Sequence, residues 1–579
     1  MPPPDGGHGA PEHICASASS GDSRETPPPP RAREFHFVLL LASVLTLLGS
    51  VPYIHAYWSA PDGEVFMGFV GRGTPGTNGY FMLARQAQEG YHLMENLLTP
   101  EPLPRNYFNL EWWLMGKAAA LSGLTLEAIF HLDRILSVFA FCLASYYLAS
   151  LAIASVLWRR VAVAIICLGS GFGWVIVLLN GVGFGLPVPQ DVEGVQVFGY
   201  LINKPHFIRA FICAMLTYGF IVEGLRRNQL RWFILSGIAA LAHSSMRPYH
   251  ILELHVLYVL VPALLAWRDH DWRLRRFLPF AVAGAVHAPA VAYYGLYAML
   301  GSLGMSGWER VPGFLIQDVL ALSWPFLILV ITIPFFLRLE KQSEVTVVLT
   351  AWVVTAWLIC NLYPYWGAGF EAAFPAYHLV PPILVLAGPL QWAGQRLAKW
   401  PVWAKCPARP CRLLLVLALI VLSLPSSGYV YATMFSSLHD KRMPQWTYYI
   451  PRPVYESIGW LASHVPQGAV ILASHDTSQF IPRFGHLKVV TGHDMLTANY
   501  SAKNWMVHRF YSQTGDLAFK ENLVQQLNIR FIVEGPLEAR LGQVHLGQVP
   551  WLEVVYENGP LRIHAVTHND PNATHGVTD

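Results

Sequence analysis

Charge is scarce in this sequence of 579 residues: Asp, Glu, Lys and Arg make up 13%, against 54% hydrophobic residues, and the mean hydropathy is +0.37. That balance excludes an ordinary soluble domain of this length and indicates an integral membrane protein. Cysteine is sparse too. The seven are Cys15, Cys142, Cys167, Cys213, Cys360, Cys406 and Cys411, with none between Ser436 and Asp579. A disulfide framework in the tail is therefore excluded, and Cys406 with Cys411 lack two of the four ligands of a zinc site. The net charge is only +3, and its basic excess sits in short connections between apolar runs, so nucleic acid is not a partner. No glycine-rich dinucleotide fingerprint and no nucleophile elbow occurs. No small-residue cleavage site follows the first apolar run, which reads as a retained span behind a Pro-, Gly- and Ser-rich arm.

Long apolar runs, in contrast, are plentiful. About eleven stretches long enough to cross a bilayer occupy Phe35 to Phe435, at 35–57, 126–153, 161–180, 205–224, 231–247, 250–267, 277–299, 314–337, 344–363, 377–395 and 412–434. Arg and Lys concentrate in alternate connections: Arg24, Arg31 and Arg33; Arg159-Arg160; Arg226 to Arg231; Arg268 to Arg276; Arg338 with Lys341; and Arg396 to Arg412. The positive-inside rule places these in the cytoplasm and the tail outside. The expected organisation is a disordered cytoplasmic arm (1–33), a membrane domain (34–435) with a long first outer loop (58–124), an extracytoplasmic α/β domain (436–567) and a disordered tail (568–579). The expected setting is the plasma membrane.

The first loop is too long for a passive turn and contains two helical patterns, Asn78 to Tyr91 and Tyr107 to Leu121. The second, with Glu111, Trp112, Trp113 and Lys117, has the profile of a helix lying along the headgroup layer. Past Phe435, short strands (Ala469–Ala473, Leu487–Thr491, Ile529–Val533) alternate with amphipathic helices, giving a small parallel-sheet α/β domain of about 130 residues, enough for an independent core. Asn558-Gly559 between Leu552–Glu557 and Leu561–Val566 signals a type I′ hairpin.

Ionisable residues in or beside a membrane are functional candidates, although burial in the bundle is the commoner fate. The first loop holds Asp62, Glu64, Glu89, Glu95 and Glu101, any of which can serve as a general base or help bind a divalent cation on a diphosphate; the alternative is a solvated loop. Outer span ends carry Asp191, Glu193, Lys204, His206, Arg247, His250, Glu253, Tyr365, Glu371 and His378. Lys204, His206, Arg247 and His250 suit a lipid-linked phosphate; the alternative is snorkelling at helix ends. Asp133-Arg134 reads as an internal ion pair, and Gly169 to Gly173 as close helix packing. His475-Asp476 and His493-Asp494 follow successive strands and would share one carboxyl-end crevice, suited to metal or sugar, unless both Asp are helix N-caps and both His surface residues. Asn499 and Asn572 begin glycosylation acceptor patterns.

Phe66-Met67-Gly68-Phe69, Tyr80 with Arg85-Gln86-Ala87 and Gly90, Gly169 to Trp174, Asn203 with Pro205-His206-Phe207, Tyr377-His378-Leu379, and Gly492-His493 with Asn499-Tyr500 and Lys503 together resemble a bacterial group with GT-C-like membrane parts. The wider resemblance is to the GT-C superfamily of polytopic glycosyltransferases, which use polyprenyl-phosphate sugars. It implies an α-helical polytopic membrane protein with a C-terminal extracytoplasmic α/β domain, moving a sugar from that carrier to an acceptor on the outer face of a bacterial inner membrane. Two departures stand out. Where the superfamily usually has an Asp near the start of the first loop helix, this chain has Thr74-Pro75-Gly76-Thr77-Asn78; and Glu371-Ala372-Ala373-Phe374 precedes Tyr377-His378 without basic residues. Either Asp62 or Glu64 takes the carboxylate's role, or the chain is a non-catalytic protein that binds or presents a lipid-linked glycan. A secondary transporter is a third reading, weakened by the absence of paired repeats.

The topology is testable directly. A reporter enzyme active only in the cytoplasm, fused after Val566, is expected to be silent, and strong activity there would require one crossing more or fewer.

Overall fold

The structure is a computed structural model and describes residues 32–71, 74–171, 173–186, 196–299, 343–366, 417–418, 421–422, 424–438, 448–512, 516–542 and 546–567. Asp191, Glu193, Glu371, His378, Asn572, the expected spans 314–337 and 377–395, and residues 412–416, 419–420 and 423 of the expected span 412–434 lie outside the described residues.

The membrane part opens with α1 (Ala32–Trp58). The first loop contributes strand β1 (Glu64–Phe66) and helices α2 (Thr74–Gln88) and α3 (Leu110–Ser122). Then follow α4 (Leu126–Ala152), α5 (Val156–Leu168), α6 (Gly173–Gly181), α7 (Val197–Asn203), α8 (Pro205–Arg227), α9 (Leu230–Met246), α10 (Ile251–Asp269), α11 (Leu274–Met299), α12 (Glu344–Trp366) and α13 (Pro425–Leu438). The expected count of about eleven transmembrane helices is corrected. Among the described residues five helices are long and apolar enough to cross a membrane, α1, α4, α8, α10 and α11, or six if α5 and α6 form one broken span. Runs of apolar residues do not reveal where a helix stops: α9 is only 17 residues long, and the chain bends by 49° between α5 and α6 at Gly169 to Gly171. That glycine run therefore breaks a helix, where the sequence suggested close packing of one. Apolar side chains such as Leu40, Leu47, Leu136, Val259 and Leu278 are exposed along the long helices, as a lipid-facing belt requires.

Two of the basic connections lie at one end of this bundle. Arg159 pairs with Glu34 of α1 at 3.3 Å, and Arg226 donates to the Leu151 carbonyl at the end of α4. The opposite end carries the first loop, where Tyr293 and Tyr294 of α11 donate to the Asn106 and Phe108 carbonyls. α3 lies here, capped by Asn109, whose side chain accepts from the Glu111 and Trp112 amides, and ended by Gly123 in the left-handed region. Its Gly116 lets it press onto the α2 backbone at Ala84.

The C-terminal part begins with β2 (Tyr449–Pro451), antiparallel to β1, then α14 (Arg452–His464). It continues with β3 (Val470–Leu472), short helices α15 (His475–Ser478) and α16 (Ile481–Phe484), and β4 (Lys488–Val489). Next come α17 (Tyr500–Tyr511), α18 (Leu517–Gln526), β5 (Ile529–Glu534), β6 (Leu552–Asn558) and β7 (Leu561–Val566). Its five strands run in the order β4-β3-β5-β7-β6. Only β4, β3 and β5 are parallel; β7 and β6 are antiparallel, so the sheet is mixed. The hairpin differs from the expected type I′ turn. Gly559 has φ +57°, but Pro560 cannot take the second positive φ that I′ demands, which leaves the type II′ form.

The sheet's two faces go to different partners. Val470, Leu472 and Ile532 pack on α17 and α18 with Phe510 and Leu523. Ile471, Val489 and Val533 share one core with Phe69, Phe81, Leu97, Leu98 and Trp112 of the first loop. The expectation of an independent core is corrected accordingly: one face of the sheet is completed by residues about 400 positions earlier. Charge seals the same contact. His486 lies 3.5 Å from Glu89 and 3.1 Å from Glu95, and Arg105 and Lys488 also reach Glu95.

These groups make the docking pH-dependent. Hydrogen bonds to Glu89 and Glu95 raise the His486 pKa, and the His486 hydrogen bond, helped by Arg105, pulls Glu95 down to about 2. The imidazolium contribution is complete below the ordinary histidine pKa of about 6.5 and is lost as pH rises through the raised folded value; the Glu95 contribution is lost as pH falls from about 4.5 toward 2. The Tm difference between the protein and His486→Gln should thus be largest near pH 6 and shrink by pH 8.5. A difference constant across that range would refute an ionised His486.

Candidate functional site

α8 starts where the chain turns out of α7. Lys204 sits at the junction in a non-helical conformation, and Pro205 occupies the first turn, where a missing N–H costs nothing. His206 follows and is buried, with neither ring nitrogen hydrogen-bonded among the described residues. Aromatic rings enclose it: Tyr80 at 4.6 Å, Trp112 at 4.9 Å and Phe207 at 4.6 Å between centroids, with Tyr80 stacked on Trp112. Arg247, at the end of α9, lays its guanidinium 3.6 Å over the Phe207 ring. Lys204 and Arg247 both lie within electrostatic reach of His206. His250 packs 5.3 Å from His243, and its Nδ1 is 3.0 Å from Glu253, which also receives the Tyr218 hydroxyl at 3.4 Å. Lys204, His206, Arg247 and His250 lie at the first-loop end of the bundle, a corner with two cations and two buried imidazoles beside aromatic rings, His250 being reached through Arg247.

Asp62 and Glu64 lie elsewhere. Asp62 is exposed in the turn before β1. Glu64 sits in β1 opposite Pro451, and partial burial raises its pKa against the pull of Arg540 in the C-terminal part. Neither touches Lys204, His206, Arg247 or His250 among the described residues.

Sequence reading missed three partners. Arg209, one turn beyond His206 on α8, pairs with both Asp133 of α4 and Glu111 of α3, the second at 3.5 Å. Asp133 is thus bonded across helices and not to its neighbour Arg134, which donates to Ser50 and covers the Tyr53 ring. The i, i+3 spacing of His206 and Arg209 was the available signal. Arg483 bonds Glu127 at 2.7 Å and Asn78 at 3.2 Å, contacts some 350 to 400 residues apart that no local pattern announces.

The C-terminal part adds a crevice beside α2. Parallel β3 and β4 bring His475 and His493 to one edge, with Tyr500 5.4 Å from His475. Burial and the neighbouring His493 lower the His475 pKa to about 4, and burial raises that of Asp476 to about 6. Ser474, not Asp476, caps α15, and His493 is buried, so the reading of capping Asp and surface His residues does not hold for these two. His493 Nε2 reaches to 3.6 Å from where a Cβ on Gly76 would sit, at the start of α2. Among the described residues no group of three or more His, Cys, Asp or Glu is arranged to hold a metal ion.

The backbone superposes on known membrane transferases. The apo oligosaccharyltransferase of Archaeoglobus fulgidus matches with a TM-score of 0.54 at 12% identity, over 92% of this chain and 75% of that one. The fold is GT-C-like. The same archaeal enzyme, AglB, in complex with an inhibitory peptide and a dolichol-phosphate, matches at 0.53 and 12% identity, over 93% and 75% of the two chains. The arabinofuranosyltransferase AftD from Mycobacteria matches at 0.50 and 13% identity over 94% of this chain, which spans 41% of AftD. No protein-family model and no curated protein matches the sequence.

The Glu111–Arg209–Asp133 cluster predicts a stability effect. Arg209→Met leaves two carboxylates in the bundle without their cation, and a loss of about 3–5 kcal/mol is expected. Adding Glu111→Gln and Asp133→Asn should restore much of the lost Tm in detergent; no recovery would mean that the packing of Arg209, not its charge, matters.

Proposed function

We propose that this protein is a transferase that moves a sugar from a polyprenyl-phosphate carrier to an acceptor on the outer face of the plasma membrane, with inversion by direct displacement. The observation that carries this reading is the position of Lys204, His206 and Arg247 beside Tyr80, Trp112 and Phe207, with His250 reached through Arg247. Cations pair with phosphate oxygens, and charge on the leaving phosphate grows in the transition state, so the same side chains that hold the carrier lower the barrier. Arg247 packs its guanidinium on the Phe207 ring, and a planar guanidinium has the shape that pairs two parallel donors with one phosphate. Similarity to a structure containing dolichol-phosphate supports the same class of carrier.

A second reading has its own support. Asp62 is exposed and Glu64 sits in β1 opposite Pro451, and neither expected acid touches Lys204, His206, Arg247 or His250 among the described residues. A protein that only binds or presents a lipid-linked glycan would need the corner and no base.

Binding tests the shared premise. Lys204→Ala and Arg247→Ala should each weaken polyprenyl phosphate binding in nanodiscs by about ten- to a hundredfold, the worth of one charge-assisted hydrogen bond. Wild-type affinity in both variants, measured by titration calorimetry, would remove the phosphate site from this corner.

A further inference from the structure

We propose that His493 and Asp494 of the C-terminal part form the general-base dyad of this transferase, so that the reaction centre is shared between the membrane bundle and the α/β sheet. The inference rests on the transferase reading and names the base that reading lacks.

Four observations carry it. His493 Nδ1 is 2.9 Å from Asp494 Oδ1. The Met495 amide donates to Asp494 Oδ1 at 2.9 Å and to His493 Nδ1 at 3.0 Å; the dyad requires the tautomer with the proton on Nδ1, in which the amide serves Asp494 alone. Asp494 then orients the imidazole and leaves Nε2 as an acceptor, the arrangement by which a carboxylate prepares a histidine to take a proton. Second, Nε2 has no hydrogen-bond partner among the described residues and lies 3.6 Å from where a Cβ on Gly76 would sit, which puts it in van der Waals reach of the start of α2.

Third, Tyr80 stands one turn after Gly76 on the same face of α2 and packs 4.6 Å from His206. The base and the phosphate corner thus face successive turns of one helix, roughly 5–10 Å apart along it. Inverting glycosidases leave a similar interval, about 6.5–9.5 Å, between the group that activates the nucleophile and the group that assists departure. Fourth, among the described residues no carboxylate hydrogen-bonds the other histidine of the crevice, His475, whose Nδ1 is buried without a hydrogen-bond partner. Asp476 is in electrostatic contact with Arg540 and Glu538, and His475 is packed against Tyr500.

The step balances without a further reagent. The acceptor hydroxyl gives its proton to His493 Nε2 while its oxygen bonds to the anomeric carbon. The bond from that carbon to the phosphate oxygen breaks, and its electron pair leaves on the phosphate beside Lys204, His206 and Arg247. This places His493 in the neighbourhood of Thr74 to Asn78, where the chain has no acid of its own.

The full chain in nanodiscs tests the dyad, with polyprenyl-phosphate-linked monosaccharides as donors, alkyl glycosides as acceptors and unlinked polyprenyl phosphate as the binding probe. His493→Ala should lower kcat by about 10²–10⁴-fold, the usual worth of general-base catalysis, with polyprenyl phosphate affinity within twofold of wild type. Asp494→Asn, at an exposed carboxylate, should lower kcat less and displace the acidic limb of the kcat/KM pH profile. His493→Ala turning over at the wild-type rate overturns the dyad and leaves the transferase reading standing. A folded wild type that binds no polyprenyl phosphate overturns that reading and the dyad with it.

Discussion

The contact on which the structure depends is the seam between the first loop and the edge of the C-terminal sheet. An open sheet edge offers unpaired amides and carbonyls. Here β4 is only two residues long, and its Val489 amide donates to the Leu97 carbonyl of the loop at 3.1 Å. Thr497 donates to Leu98 at 2.6 Å, and Asn96 donates to Leu496 at 2.6 Å, so both chains satisfy one another's backbone. Phe69, Phe81 and Leu97 then fill the same core as Ile471, Val489 and Val533. Burial of that apolar surface and loss of those hydrogen bonds are linked, because separating the two parts exposes both.

Position follows from that seam. With β4 fixed on the loop, the turn after it must carry His493 to the start of α2, and α16 must carry Arg483 to Glu127 and Asn78. Rings of Phe69 and Phe81 lie 4.6 and 4.7 Å from the Arg483 guanidinium, which lets a cation sit at the junction without losing all its stabilising contacts. α2 is the shared wall: its Tyr80 meets the bundle and its Gly76 meets the sheet.

Buried charges are distributed with the same economy. Glu34 with Arg159 and Tyr146 closes the end of the bundle that carries two of the basic connections. Glu111, Arg209 and Asp133 tie three helices together beneath the site. Each cluster joins residues of separate helices, so an ion pair here selects which helices neighbour one another; its desolvation makes it a weaker source of net stability.

Much of this protein was legible in the residues alone. Hydrophobic runs located the long helices α1, α4, α8, α10 and α11, alternation located the strands of the tail, and the helix-end positions of Lys204, His206, Arg247 and His250 made them candidates, because period and charge are local properties. Helix breaks were less legible: the glycine run at Gly169 and the short α9 look apolar in either conformation. Tertiary structure alone decided that Asp133 faces Arg209 and not Arg134, that Glu64 pairs opposite Pro451, and that half of the sheet's core comes from the first loop. The reason is physical. A side chain's partner is chosen by which surfaces desolvate together when distant segments pack, and contacts between residues some 400 apart leave no trace in the spacing of either segment.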